Sequence, residues 1–304
     1  MSRLALSATR SIDIIELLAT FPDRGFSMSE ISRATGINIA SCHAVLTTLT
    51  NRGYLVRSGA DKSYKLGLSL IAVGHGAEKS QPLAVRAMEA ADRLRAELDI
   101  GALLTTAVGE EILAVYALEG PTGRSPGMHD GERLPLVAPF GAPFLAWASE
   151  AELEEWMARR TGPEDTKLAE RILRDVATIK KRGYQIYFST GETSSFGALL
   201  AEMSASEAMA DYKGKISSLA SAFHYHMEQP ESIEDDASYE VTLIAAPIFD
   251  RDGNAVFNLG LGGFTGPLDG KTISRYAERL LVSCLEVMRS ERTSGRKREH
   301  SPAS

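Results

Sequence analysis

The sequence predicts an α+β chain: a small helical head ending in a hairpin, followed by a larger domain of antiparallel strands and helices. Three observations carry this. Residues 8–66 show helical spacing in three successive stretches and then two short strand-like runs. From Gly101 onward the pattern changes to strand pairs joined by tight turns. The 304 residues, 44% hydrophobic and 24% charged, are enough for about two domains, each with a sizeable core.

Each element follows from local chemistry. Ile12, Ile15 and Leu18 recur at helical spacing over residues 8–20, and Phe21-Pro22 ends that helix. Ser27 followed by Glu30 is a capping-box pattern that opens a second, short helix, and Gly36 supplies its left-handed exit. Asn38 is an N-cap for a third helix that runs to Arg52, before Gly53. Residues 54–57 and 63–66 are strand-like, with the polar turn SGADK between them. Helix, glycine turn, helix and two-stranded wing are the outline of a winged helix-turn-helix over residues 1–66.

The third helix has two faces. Cys42, Val45, Leu46 and Leu49 recur at i, i+3, i+4 and i+7 and form the face that packs on the other helices. The outer face carries Ala40, Ala44, Thr47 and Asn51, flanked by Ser41, His43 and Thr48. Small or hydrogen-bonding side chains suit a helix entering a major groove, where bulk would hold the backbone off the bases. An ordinary amphipathic helix would share this outer face; the short preceding helix, the glycine turn and the wing decide for the groove. The expected base contacts are therefore Asn38, Ala40, Ser41, His43, Ala44, Thr47 and Thr48. The charge is divided to match. The net charge is -7, yet residues 1–80 hold 9 Lys/Arg against 6 Asp/Glu, while the rest hold 24 against 34. A mildly basic head on an acidic body suits double-stranded DNA held by one end.

Residues 67–98 read as linking helices, with Pro82 allowed in a first turn and Gly67, Gly74 and Gly76 weakening the first of them. Residues 99–290 then form the larger domain. Two strands flank Gly109, and Pro135, Pro139 and Pro143 postpone the next helix to Phe144 onward. Residues 165–183 are an amphipathic helix, YQIYF is a strand, and two further strands meet at the turn RDGN. A last helix covers about residues 269–290, and residues 291–304 read as a disordered, solvated tail.

Cys42 and Cys284 are far apart and outside any C-x-x-C pair, which argues against a disulfide framework or zinc finger and fits a reducing cytoplasm. The chain start has no long apolar run and no stretch reaches 18 apolar residues, so neither export nor a membrane partner is expected. No nucleophile elbow, phosphate-binding loop or H-E-x-x-H is present, so an enzyme is not expected. LGLGGFTG lacks dinucleotide-loop spacing, and His224, His226 and Glu228 are a weak metal cluster; no cofactor or metal is expected.

In RSIDIIELLA, MSEISRATGI, NRGYLVR and YKLGLSLIAVG, and later in GERLPL, KKRGY and IAAPIFDRDGNAVFNLGL, the chain resembles IclR-family transcriptional regulators. The blocks span most of residues 8–290 and keep the family's order. The resemblance implies a winged helix-turn-helix, a linker helix and a GAF-like effector domain with an antiparallel sheet. It also implies homodimers or homotetramers and control of transcription by a small molecule. A rival reading keeps the DNA binding but gives the second domain only an oligomerising role; its glycine-lined strands speak against that.

Three departures matter. The family usually opens its third helix with Pro-Lys-Ser-Thr and places Arg after His; here these positions are Asn38, Ile39, Ala40, Ser41 and Ala44. Phosphate contact then falls to Arg10, Arg33, Arg52, Arg57, Lys62 and Lys65. In members that bind small carboxylates, a Gly-Ala pair, a Cys and two Ser face the ligand. The pair remains as Gly141-Ala142, the Cys position is Leu243 beside Val241, and the Ser positions are Gly260 and Gly262. Three polar side chains are lost and two glycines add space, so an apolar or aromatic effector is expected. Finally, about residues 192–235 form an insertion, expected to be helical, that could cover the pocket mouth or widen a subunit interface.

Overall fold

The computed structural model describes residues 5–159, 166–188 and 229–298. They form two compact units that divide after Pro82.

The first unit contains α1 (Leu6–Thr20), α2 (Met28–Thr35), α3 (Ile39–Asn51), the antiparallel hairpin β1 (Leu55–Arg57) and β2 (Tyr64–Leu66), and α4 (Ser69–Ser80). Both expected caps form. Ser27 and Glu30 close a reciprocal capping box, and Asn38 Oδ1 accepts from Ser41 N at 3.0 Å. Gly36 ends α2 in the left-handed region at φ 68°. Ile14, Leu17 and Leu18 of α1 pack with Ile31, Cys42, Leu46, Leu49 and the wing residues Leu55 and Tyr64 in one core. The wing turn is held by Asp61, whose carboxylate accepts from Ser63 N and Ser63 Oγ. Its left-handed residue is Lys62, at φ 58°. α4 is continuous despite Gly74 and Gly76, and none of its residues is buried.

The second unit opens with α5 (Pro82–Leu98) and continues with β3 (Gly101–Val108), β4 (Glu111–Leu118), β5 (Arg133–Pro135), α6 (Ala142–Leu145), α7 (Glu150–Ala158) and α8 (Thr166–Arg182). Then come β6 (Gln185–Phe188), β7 (Ser238–Tyr239), β8 (Val241–Phe249), β9 (Ala255–Gly262), β10 (Leu268–Asp269) and α9 (Gly270–Arg298). Six strands form an antiparallel sheet in the order β5-β4-β3-β9-β8-β6. Because side chains alternate along each strand, the sheet has two distinct faces. On one, Ala102, Leu104, Leu259, Leu261, Ile244 and Ala246 pack under Ala87, Ala90, Ala91 and Leu94 of α5 and Ile273, Ala277 and Leu280 of α9. A bidentate pair at 2.6 Å between Arg279 and Glu97 joins these two helices at the surface. α6 packs on β8 and β9.

Four features differ from the sequence reading. α5 was grouped with α4 as a linking segment, but its Ala-rich face is core of the second unit. The helix expected from Phe144 onward is interrupted: α6 ends at Leu145, and α7 starts anew where Ser149 and Glu152 make a second capping box. The final helix continues to Arg298, into the segment expected to be tail, and no proline lies between Pro267 and Pro302 to interrupt it. The edge strand β6 is partnered on its open side by a side chain. Gln229 Oε1 accepts from Ile186 N at 3.1 Å and its Nε2 donates to Ile186 O at 2.6 Å. Residues 192–228 of the insertion, with His224, His226 and Glu228, lie outside the described residues.

Candidate functional site

The first candidate site is the outer face of α3 with the wing. Ala40, His43, Ala44, Thr47, Thr48 and Asn51 are exposed along the helix. Two of the expected base contacts are engaged elsewhere. The Asn38 carboxamide caps the helix, and Ser41 Oγ accepts from Arg10 Nη1 at 3.1 Å. Thr47 and Thr48 donate their hydroxyls to His43 O and Ala44 O at 2.8 and 2.9 Å, which leaves their methyls and lone pairs outward. Such a surface offers small apolar contacts and acceptors, with His43 as its one long polar side chain.

The cations ring this face unequally. Arg52 caps the end of α3, and Arg33 lies exposed in the last turn of α2. Arg57 lies over the Tyr64 ring at 5.6 Å, and Lys65 Nζ donates to Asp23 O at 2.9 Å. Lys62 projects from the wing turn, and Arg10 is tied to Ser41.

The second candidate site is a cavity of about 760 Å³ over the other face of the large sheet. Its floor is set by strand register. Leu103 pairs with Gly260, Gly260 with Ala245, and Thr105 with Asn258, so these residues all face the same way. The walls include Phe140, Phe144, Ile112, Leu134 and Tyr187. Residues 123–129 cover the end near Phe264, where Arg124 Nη1 donates to Phe264 O at 3.0 Å. Burial raises the Glu132 carboxyl above its ordinary range, behind the His129 amide it accepts from at 2.8 Å.

Of the six effector positions read from the sequence, Gly141, Val241, Leu243 and Gly260 line this cavity, while Ala142 and Gly262 do not. Ala142 is buried as the first residue of α6. Gly262 adds no space: a Cβ there would meet Pro126 O at 2.6 Å, so its missing side chain lets the covering loop lie on the sheet. The sequence reading missed Thr105 and Asn258. Asn258 stands two residues before Gly260 and thus on the same face, a signal present in the sequence; Thr105 joins it only through register. Cys42 and Cys284 are both buried, and burial pushes the Cys284 thiol up to about 12, so neither is poised as a nucleophile. Among the described residues no cluster could hold a metal, and no helix is long and apolar enough to cross a membrane.

Residues 7–59 match the IclR helix-turn-helix domain. The HTH-type transcriptional regulator XynR of Escherichia coli is 22% identical over 286 residues, 93% of this chain and 96% of that protein. The fold is shared with the IclR transcriptional regulator from Alicyclobacillus acidocaldarius, at TM-score 0.69 and 18% identity over 95% of this chain and all of that one. It is also shared with an IclR homolog from Microbacterium hydrocarbonoxydans complexed with 4-hydroxybenzoate, at TM-score 0.63 and 18% identity over 94% of this chain and 99% of that one. Winged head, antiparallel-sheet domain and similarity over nearly the full length agree: residues 7–59 form an IclR helix-turn-helix domain, within a chain that is similar throughout to IclR transcriptional regulators.

Proposed function

We propose that this chain is a cytoplasmic, homo-oligomeric regulator that binds operator DNA through α3 and the wing. In this reading an apolar or aromatic small molecule in the sheet cavity controls it. The observation that carries the effector reading is the cavity itself. Its size is that of a small-ligand site, and Leu103, Leu134, Phe140, Phe144, Leu243 and Gly260 make its surface mainly apolar. The relative bound to 4-hydroxybenzoate supports an aromatic occupant. Burial at about 25 cal/mol per Å² of apolar surface supplies affinity without the three polar groups lost from the family pattern. A ligand acts only by binding one arrangement of the dimer better than another, so the effector must favour one spacing of the two winged heads.

The test is DNA release and thermal shift across two- and three-carbon acids and monocyclic aromatics. Selective response to an aromatic is expected. Gly260→Leu should abolish it and leave DNA binding intact, because even a Cβ there would approach Leu243 Cδ1 to 2.9 Å and the longer side chain must fill the cavity. A selective response to a small acid, or a normal response from Gly260→Leu, would refute the apolar-effector reading.

A further inference from the structure

Asn258 is 6% exposed and lines the cavity, yet its Oδ1 has no hydrogen-bond partner among the described residues. Other buried polar atoms in the same condition, such as Gln185 Oε1 and Thr50 Oγ1, do not line it. A buried acceptor without a donor is destabilising, so a structure that keeps one beside a cavity has a use for it. Thr105, 7% exposed, is the direct cross-strand partner of Asn258 and also lines the cavity. Directly opposed side chains stand about 5 Å apart. An amide and a hydroxyl therefore sit side by side on a floor otherwise made of Leu103, Ala245, Leu243 and Gly260.

We propose that Asn258 and Thr105 are the specificity-determining anchor of this cavity and select a ligand that buries a neutral hydroxyl against them. The inference rests on the effector reading above and narrows it from an aromatic to a hydroxylated aromatic. Charge excludes a carboxylate at this end. Arg124 is the one arginine or lysine among the cavity's lining residues, and its Nη1 donates to Phe264 O beside Gly263. From Asn258 to Gly262 the strand advances about 13 Å. A carboxylate beside Asn258 would be buried without an arginine or lysine next to it among the lining residues. A hydroxyl both donates and accepts, so it satisfies either orientation of the Asn258 carboxamide and the Thr105 hydroxyl together. A ligand lacking that group leaves the anchor unpaired, and sites built on such pairing reject the analogue strongly.

The experiment is calorimetric titration of the full-length protein with two matched pairs: 4-hydroxybenzoate and benzoate, 4-hydroxycinnamate and cinnamate. In at least one pair the hydroxylated member should bind ten-fold or more tightly. Asn258→Leu should remove that preference by weakening the hydroxylated member while the other changes by less than about two-fold. Thr105→Val, nearly isosteric, should narrow the preference in the same direction, and it decides the question if Asn258→Leu does not fold. Equal affinities within both pairs, or a preference that survives the substitutions, overturn the anchor and leave the aromatic-effector reading standing. If none of the four compounds binds, both fall together.

Discussion

Lys62 shows how a single residue can be held against its own preference. Its φ of 58° lies in the left-handed region, where an L side chain costs about 1 kcal/mol relative to glycine. Asp61 fixes the turn by accepting hydrogen bonds from Ser63, and hydrogen bonds, with Ser58 first, hold its carboxyl down at about 2. A glycine at this position would adopt the conformation without strain, yet a charged residue occupies it. A lysine retained at the wing tip is consistent with phosphate contact. Lys62→Gly should therefore stabilise the head by up to about 1 kcal/mol in denaturant melts. It should also weaken specific and non-specific DNA alike and flatten the dependence of affinity on salt by about one phosphate. Arg52→Ala should lose the same DNA affinity with no gain in stability, since Arg52 has ordinary backbone angles at φ -92° and ψ 1°. Unchanged binding by both variants would remove the wing and the end of α3 from the interface.

At the scale of elements, α2 depends on its capping box. Glu30 accepts from Ser27 N and Ser27 Oγ at 2.8 Å and from Arg24 Nη2 at 2.7 Å. The Ser27 backbone bond, then its hydroxyl, then Arg24 hold the Glu30 carboxyl below its ordinary range. A lowered folded value means the stabilisation is present above the unfolded value of about 4.5 and is lost as pH falls through the folded one. Ser27→Ala should cost about 1 kcal/mol at pH 7. Glu30→Gln, which keeps a capping-box side chain, should differ from the wild type at pH 7, and the difference should shrink as pH falls below about 4.5 through the lowered folded value. Far-UV circular dichroism reports this transition, whereas fluorescence should miss it, because Trp147 and Trp156 both lie in the second unit. The box was legible because it is local: two residues three apart. The partner of β6 was not. Gln229 stands more than forty residues downstream and acts through its side chain, so neither strand periodicity nor turn chemistry marks it. The break between α6 and α7 was masked by an apolar run that continues through Trp147, and only Ser149 with Glu152 betrays the restart.

For the whole molecule, the outline of head, linking helices and sheet domain was readable because each period is written within a dozen residues. Strand order was not, since β3 lies between β4 and the distant β9, and that pairing builds the cavity floor. Nor could spacing alone assign α4 and α5 to different units. α4 has no buried residue, and Leu68, Ile71 and Val73 are 78%, 56% and 52% exposed. An isolated twelve-residue helix is marginal in water and is normally stabilised by packing an apolar face. A second copy of the chain offers the same apolar helix, and paired heads are what two half-sites in successive major grooves require. Ile71→Lys together with Val73→Lys should therefore shift the protein toward a smaller assembly in light scattering at micromolar concentration. Its affinity for a two-half-site operator should fall by at least ten-fold while affinity for a single half-site stays within about two-fold, because pairing supplies effective concentration rather than new base contacts. Trp fluorescence melts should be unchanged, since both tryptophans lie in the unit beyond Pro82. An undiminished assembly with full operator affinity would assign pairing to the second unit and leave α4 a connector.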